Sequence, residues 1–299
     1  MLSFEGAFTA ILTPFNEEGE IEFDYMLRHL RYQEENGIDG VIPCGTNGEG
    51  PSLSLDERKR VIRFVVENKG RMLVIAGTGC SNLPETIELT TFAAEAGADA
   101  ALVLPPFYFK NLDDRGTADY YRRVLDAAPI PVLLYNIPSY SGVEITEGVL
   151  RSLADRANLA GVKDSSGNVE RTRAYASGFP RLQILNGSDW CIEAALAGGA
   201  AGTISGIGNV YPELVAGLYD AWQAGQDVSA WQAKINELKE VFDRCPPMAA
   251  NKFGLTLRGF PSTYVRPPLV DLSPTGQRRM EAEIRRSTSS EADLPGPTP

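Results

Sequence analysis

The sequence predicts an α/β protein, a (β/α)8 (TIM) barrel with a C-terminal helical appendage. Short apolar segments alternate with longer stretches of helical period along most of the 299 residues, and those segments number eight. They are apolar almost throughout, as strands are when a parallel sheet is buried on both faces beneath helices. A chain of this length, 43% hydrophobic, can enclose one large core, and barrels of ~250 residues commonly form one domain. A doubly wound open sheet is the alternative, but the loop "LTPFNEEGE" after the first segment is not a dinucleotide-type glycine turn.

Taken in order, the strand segments are "GAFTAILTPF", "DGVIPCGTNGEG", "RMLVIAGTGC", "ADAALVLPPFY", "IPVLLYNIPSYSG", "LAGVKDSSG", "LQILNGSD" and "AAGTISGIGN". Between them lie amphipathic stretches such as "SLDERKRVIRFVVENKG", where Ser54 and Glu57 make a capping box and Gly70 marks the end. "NLPETIELTTFAAEAG", "DDRGTADYYRRVLDAA" and "PELVAGLYDAWQAG" follow the same plan. Helical patterns then continue through "DVSAWQAKINELKEVFDRC", "AANKFGLTLRG" and "SPTGQRRMEAEIRRS", more helix than eight repeats require. The expected organisation is a barrel over 1–225, helices packed on it over 226–288, and a disordered tail over 289–299. The tail's polar, proline-rich composition already begins at Ser287.

A net charge of −11 argues against nucleic-acid partners, because such binding rests on Lys and Arg neutralising phosphates. No apolar run reaches the ~20 residues of a membrane span, and the N-terminal stretch lacks the basic start of a signal peptide. A cytoplasmic location is expected. Cys44, Cys80, Cys191 and Cys245 lie far apart without a CxxC pair, which predicts reduced thiols and no metal site. The single histidine, His29, lies in the helical pattern "YMLRHLRYQEENG" and is expected to be structural, exposed or half-buried, so a Ser-His triad or a His-rich metal site is discounted.

Barrel active sites form at the C-terminal ends of the strands. The residues there are Thr13, Thr46, Asn47, Glu49, Tyr108, Tyr135, Asn136, Lys163, Asp164, Ser188, Asp189, Ser205 and Asn209. Of the seven lysines, Lys59, Lys69, Lys234 and Lys239 fall in helical stretches and read as solvated. Lys110 falls in a loop, and Lys252 lies in an appended helix within reach of the barrel mouth. Lys163 alone ends a buried strand. One reading is a structural ion pair with Asp164 or another barrel carboxylate. The other is a nucleophile, since a lysine amine held neutral by its surroundings attacks a ketone to form a Schiff base. Such an amine needs a proton shuttle, and Tyr135 ends the preceding strand, ~4.8 Å away in a parallel sheet. "GTNGEG", Gly45–Gly50, lacks the signature of a nucleotide loop, but its glycines allow backbone N–H groups to turn toward a small anion such as a carboxylate.

With "GTNGEG", "YNIPSYSG", "GVKDSSGN", "NGSD" and the late "VRPPLVDLS" in order, the sequence resembles the dihydrodipicolinate synthase and N-acetylneuraminate lyase superfamily of Schiff-base-forming, pyruvate-handling enzymes. The resemblance implies a barrel, usually a homotetramer, that needs no cofactor and takes pyruvate or another 2-oxo acid together with an aldehyde. Within it Lys163 matches the Schiff-base lysine and Tyr135 the proton-relaying tyrosine. Thr46 links that tyrosine to another reaching in from a neighbouring subunit, here Tyr108. The backbone of Thr46 and Asn47 would hold the pyruvate carboxylate, and Ile204 matches a residue whose carbonyl lies near the lysine. Dihydrodipicolinate synthases typically read "GTTGE" and "YNVPxRTG", and their arginine grips the second substrate's carboxylate. Asn47 and Tyr140 replace that pattern here. The departure points to aldolase branches acting on 2-keto-3-deoxy sugar acids or 4-hydroxy-2-oxo acids, with Tyr140, Asn47, Ser188, Asp189 and Ser205 near the second substrate. Dihydrodipicolinate synthesis is the runner-up, and a non-catalytic barrel that binds a small carboxylate is the alternative of another class.

Overall fold

A computed structural model describes residues 2–288. Eight parallel strands close in sequence order: β1 (Gly6–Thr9), β2 (Gly40–Val41), β3 (Leu73–Gly77), β4 (Ala100–Val103), β5 (Val132–Asn136), β6 (Leu159–Asp164), β7 (Gln183–Asn186) and β8 (Gly202–Ser205). β8 pairs back onto β1, so no edge is left to cover. Around them run α1 (Phe23–Glu35), α2 (Leu55–Glu67), α3 (Leu83–Ala96), α4 (Asp114–Ala127), α5 (Pro138–Ser141), α6 (Glu147–Arg151), α7 (Val169–Gly178), α8 (Ile192–Ala197) and α9 (Pro212–Gln223). Then follow α10 (Ser229–Asp243), α11 (Pro247–Leu257) and α12 (Pro274–Thr288). Every one of the eight apolar segments contains its strand, but "IPSYSG" leaves the strand at Asn136 and turns through α5, because Pro138 favours a helix start.

The nearly continuous apolarity of the strands has the cause expected of it. In β5, Val132 and Leu134 pack outward against α4 and α6, whereas Leu133 and Tyr135 face the barrel interior with Phe8, Ile42, Ile75, Leu102, Leu185 and Ile204. The capping box of α2 forms: Ser54 Oγ accepts from Glu57 N at 3.2 Å, and Glu57 Oε2 accepts from Ser54 N at 2.9 Å. Helix α3 ends at Gly97, whose φ of +92° is a left-handed cap that glycine adopts without strain.

Three expectations change in the structure. Ser287, placed in the tail by its composition, lies within α12, where its carbonyl accepts from Lys234 Nζ; the expected tail over 289–299 falls outside the described residues. That contact also buries Lys234, read from sequence as a solvated surface lysine. His29 is fully buried, with Nε2 against Asn209 O at 3.0 Å. Burial, only partly opposed by that hydrogen bond, lowers its pKa to about 4. It sits in a helix whose partner is the loop after β8, which a sequence period cannot reveal.

Helices α10 to α12 pack on the barrel's flank and mouth. Trp231, Ile235, Leu238 and Phe242 of α10 join the same core as Ile192 of α8 and Tyr211 before α9. Gln232 Nε2 donates to Asp189 O at 2.9 Å, fixing α10 to the loop that follows β7. No helix among the described residues is long and apolar enough to cross a membrane.

Candidate active site

Strand register decides which side chains meet. Tyr135 pairs with Lys163, and Lys163 with Leu185, so the three occupy one layer and project inward. Lys163 is 4% exposed, with Nζ donating to Tyr135 Oη at 3.2 Å and lying 4.2 Å from the ring centroid. Thr46 Oγ1 stands 3.4 Å from the same phenol oxygen. Burial, the largest influence on Tyr135, raises its pKa, but the Lys163 charge and the hydrogen bonds of Thr46, Ser165 and Lys163 together outweigh it. The net direction is down.

The ion-pair reading of Lys163 does not hold. Asp164 is buried but faces away, accepting from Asn136 Nδ2 at 2.7 Å and from Ser166 N and Oγ at 3.1 and 2.9 Å. Among the described residues Lys163 makes no ion pair, so its amine points into open space toward the phenol.

That space is a cavity of about 290 Å³ at the C-terminal end of the barrel. Its floor carries Lys163, Tyr135 and Ile204, and one wall is the turn of Thr46 and Asn47. The turn after β2 is held in an uncommon shape: Cys44 and Glu49 both have left-handed φ, +58° and +52°, and a Cβ on Gly50 would lie 2.2 Å from Cys44 O. Three contacts brace it. Thr13 Oγ1 donates to Gly48 O at 2.7 Å, Lys252 Nζ meets Glu49 Oε1 at 2.5 Å, and Arg266 N donates to Glu49 Oε2 at 3.0 Å. The N–H groups of Thr46 and Asn47 have no acceptor among the described residues, which leaves two adjacent donors on the cavity wall. Lys252 is thus a buried brace within reach of the mouth, not a second free amine; burial, opposed by Glu49, lowers its pKa to about 8.

The other candidates divide. Ser188, Asp189 and Tyr140 line the cavity. Asp189 is nonetheless spent on the framework: it accepts from Ser205 Oγ at 2.6 Å and from the N–H groups of Gly206 and Ile207 at 3.2 and 3.0 Å. Ser205 does not line the cavity, because its hydroxyl bridges Asp189 and Gly208 N. Tyr108 is 77% exposed, edge-on to Phe109, and does not line the cavity of its own chain. Asn209, Thr13 and Asn136 serve the backbone.

Sequence reasoning overlooked the outer wall. Ser139 from α5, Trp190 from the turn after β7, Lys239, Phe242 and Asp243 from α10, and Asn251 from α11 all line the cavity. Lys239, which its helical pattern places in solvent, reaches the mouth because Gln232, seven residues earlier, pins α10 to the β7 loop. The available signal was weak: Lys239 and Asp243 stand four apart, the spacing of any surface helix pair. No group of three or more potential metal ligands occurs among the described residues, and the four cysteines are unpaired.

Comparison with known proteins identifies the family. The pattern of the Dihydrodipicolinate synthetase family matches residues 3–287. An uncharacterized DapA-like lyase of Chloroflexus aurantiacus is 39% identical over 94% of this chain and 96% of its own length. The 4-hydroxy-tetrahydrodipicolinate synthase of Anaplasma marginale is 35% identical over 92% of each chain. Among solved structures, YagE of E. coli K12 in complex with pyruvate superposes with a TM-score of 0.91 at 28% identity, covering 95% of this chain and 99% of that one. The 4-hydroxy-tetrahydrodipicolinate synthase of Methylacidiphilum fumariolicum gives 0.90 at 30% identity, covering 96% and 97%. With the barrel, the lysine and tyrosine on adjacent strands, and a match along nearly its whole length, the chain belongs to the dihydrodipicolinate synthetase family of Schiff-base-forming lyases.

Proposed function

We propose that the protein is a class I aldolase that cleaves, or forms, a 2-keto-3-deoxy sugar acid or a related 4-hydroxy-2-oxo acid through an imine on Lys163. The observation that carries the substrate class is the composition of the cavity: no arginine lines it among the described residues, and Tyr140 stands at its lip. Aspartate semialdehyde brings a carboxylate to that region. A tyrosine offers it one neutral hydrogen bond where a guanidinium would offer two charge-assisted ones, a deficit of about 1.5–3 kcal/mol.

The chemistry runs in balanced steps. The substrate carboxylate docks on the N–H groups of Thr46 and Asn47, which places the C2 carbonyl over Lys163. The neutral amine adds to C2, and the carbinolamine loses water as Tyr135 delivers a proton to the departing hydroxyl. In cleavage Tyr135 takes the C4 hydroxyl proton, the C3–C4 bond breaks, and its electron pair becomes the enamine double bond. The aldehyde leaves, the enamine is protonated at C3, and water hydrolyses the resulting imine to pyruvate and free Lys163. The 3.2 Å contact between Nζ and Tyr135 Oη supports this relay, since one phenol reaches both the nucleophile and the space above it. YagE in complex with pyruvate supports pyruvate as the 2-oxo acid. Tyr108, carried outward on its loop, supports a shared site in a homotetramer.

The test offers pyruvate with glyceraldehyde, glyoxylate, N-acetylmannosamine or aspartate semialdehyde side by side. Glyceraldehyde should be turned over best, ahead of the carboxylate-bearing glyoxylate and aspartate semialdehyde, and borohydride should fix pyruvate on the Lys163 peptide. Tyr135→Phe should lower turnover by ~100-fold or more while retaining pyruvate binding, the scale of a lost acid–base group. Efficient use of aspartate semialdehyde alone defeats the aldolase reading. It would favour the second one, 4-hydroxy-tetrahydrodipicolinate synthesis, the activity for which the Anaplasma marginale relative is named.

A further inference from the structure

We propose that Trp190, Lys239 and Asp243 form a distal subsite that selects an uncharged, hydroxyl-bearing aldehyde end. This rests on the aldolase reading and specifies how the far end of its substrate is recognised.

The three side chains line the cavity mouth from two elements, Trp190 from the turn after β7 and the other two from α10. Asp243 is the hub. Its Oδ1 takes the Lys239 ammonium and its Oδ2 accepts from Trp190 Nε1 at 2.9 Å. Tyr140 stands close enough for the Asp243 charge to contribute to its raised pKa, after burial and Tyr135. The group therefore spans the mouth from α10 toward α5.

Its charge pattern decides what it accepts. Lys239 is the cation at this mouth, and in isolation it would attract a substrate carboxylate. With Asp243 on it, the pair sums to zero, and a second carboxylate would meet repulsion from Asp243 at nearly the same distance as attraction from Lys239. A hydroxyl meets no such penalty, since it donates to the carboxylate and accepts from the ammonium at once. The side chains of Lys239 and Asp243 are 20% and 39% exposed, so they are reachable from solvent and from the cavity. Trp190 holds the carboxylate in one orientation and supplies an apolar face for the carbon chain.

Two charge variants test the subsite, because they must move the preference in opposite directions. Asp243→Asn leaves the ammonium unneutralised, so the ratio of kcat/KM for glyceraldehyde to that for succinic semialdehyde, an aldehyde whose single charge is a carboxylate, should fall by about tenfold, the scale of one charge-assisted contact. Lys239→Met leaves the carboxylate alone, so the ratio should rise by about threefold to tenfold on the same scale. Borohydride trapping of pyruvate at Lys163 in both variants reports that the barrel and its lysine are intact. Opposite shifts support the subsite, and general damage cannot produce them. A ratio unchanged in both, or moved the same way in both, overturns it while the aldolase reading stands. A parent enzyme that turns over no hydroxyaldehyde defeats the aldolase reading and the subsite with it.

Discussion

Replacing Lys252 with methionine isolates the contribution of the brace behind the turn of Thr46 and Asn47, the proposed carboxylate site. In the folded protein the Lys252 and Glu49 side chains are 1% and 0% exposed, and their ionic atoms meet at 2.5 Å. Methionine fills similar volume but removes the cation, leaving Glu49 with the Arg266 N–H as its remaining hydrogen-bond donor. An uncompensated buried charge of this kind costs about 3–5 kcal/mol, a large share of the ~5–15 kcal/mol that holds a typical domain folded. The double variant Glu49→Gln, Lys252→Met removes both charges and should recover most of that loss, since a buried pair exchanged for neutral groups is often close to neutral. Urea unfolding of the parent, both singles and the double closes the cycle. The functional reading follows from φ at Glu49: without its clamp the left-handed turn relaxes, the N–H groups of Thr46 and Asn47 lose their aim, and KM for pyruvate should rise in Lys252→Met. A single variant that loses less than ~1 kcal/mol, or a double no more stable than the single, would refute the claim that the pair is coupled.

His29 takes a proton near pH 6.5 when unfolded and only near 4 when folded, so the unfolded state binds more protons in between and stability falls as pH drops through that window. The full effect is about 3 kcal/mol, and His29→Gln should flatten that part of a stability-against-pH curve measured by urea unfolding. In Gly187→Ala the new Cβ would lie 2.0 Å from Ser165 Oγ and 2.9 Å from Lys163 Cε, both side-chain rather than backbone atoms. Folding should survive, but the displaced amine should slow borohydride-trapped imine formation by up to ~100-fold; a rate equal to the parent's would show that Lys163 does not need this path.

Much of the inner site is legible in the sequence because it depends on local rules. A strand that must be apolar on both faces shows where it ends, and the residues at those ends face the mouth. Tyr135 and Lys163 meet because both project inward from paired positions on neighbouring strands. The outer site obeys no local rule. Lys239 and Asp243 show the spacing of an ordinary helix pair, and only the packing of α10 against Asp189 O and the core around Ile192 brings them over the cavity. Asp189 and Ser205 erred the other way. Both are strand-end polar residues suited to a ligand, yet the backbone N–H groups after β8 needed an acceptor, and Asp189 met that need with Ser205 as its partner.

This division has a chemical consequence. Lys163, Tyr135 and the turn at Thr46 belong to strands and braces whose removal disturbs the barrel itself, so the proposed imine chemistry is tied to the fold's stability. The outer wall stands on α10, whose buried face is secured by Trp231, Ile235 and Leu238 independently of Lys239 and Asp243. Side chains on the cavity side of that helix can therefore change without cost to the core. The physical expectation is that substrate range in this architecture shifts first through α10 and the turn carrying Trp190, while the pyruvate half of the reaction stays fixed. Exchanging the pair at 239 and 243 for two neutral residues should broaden the aldehydes accepted and leave the thermal midpoint within the few degrees typical of surface changes.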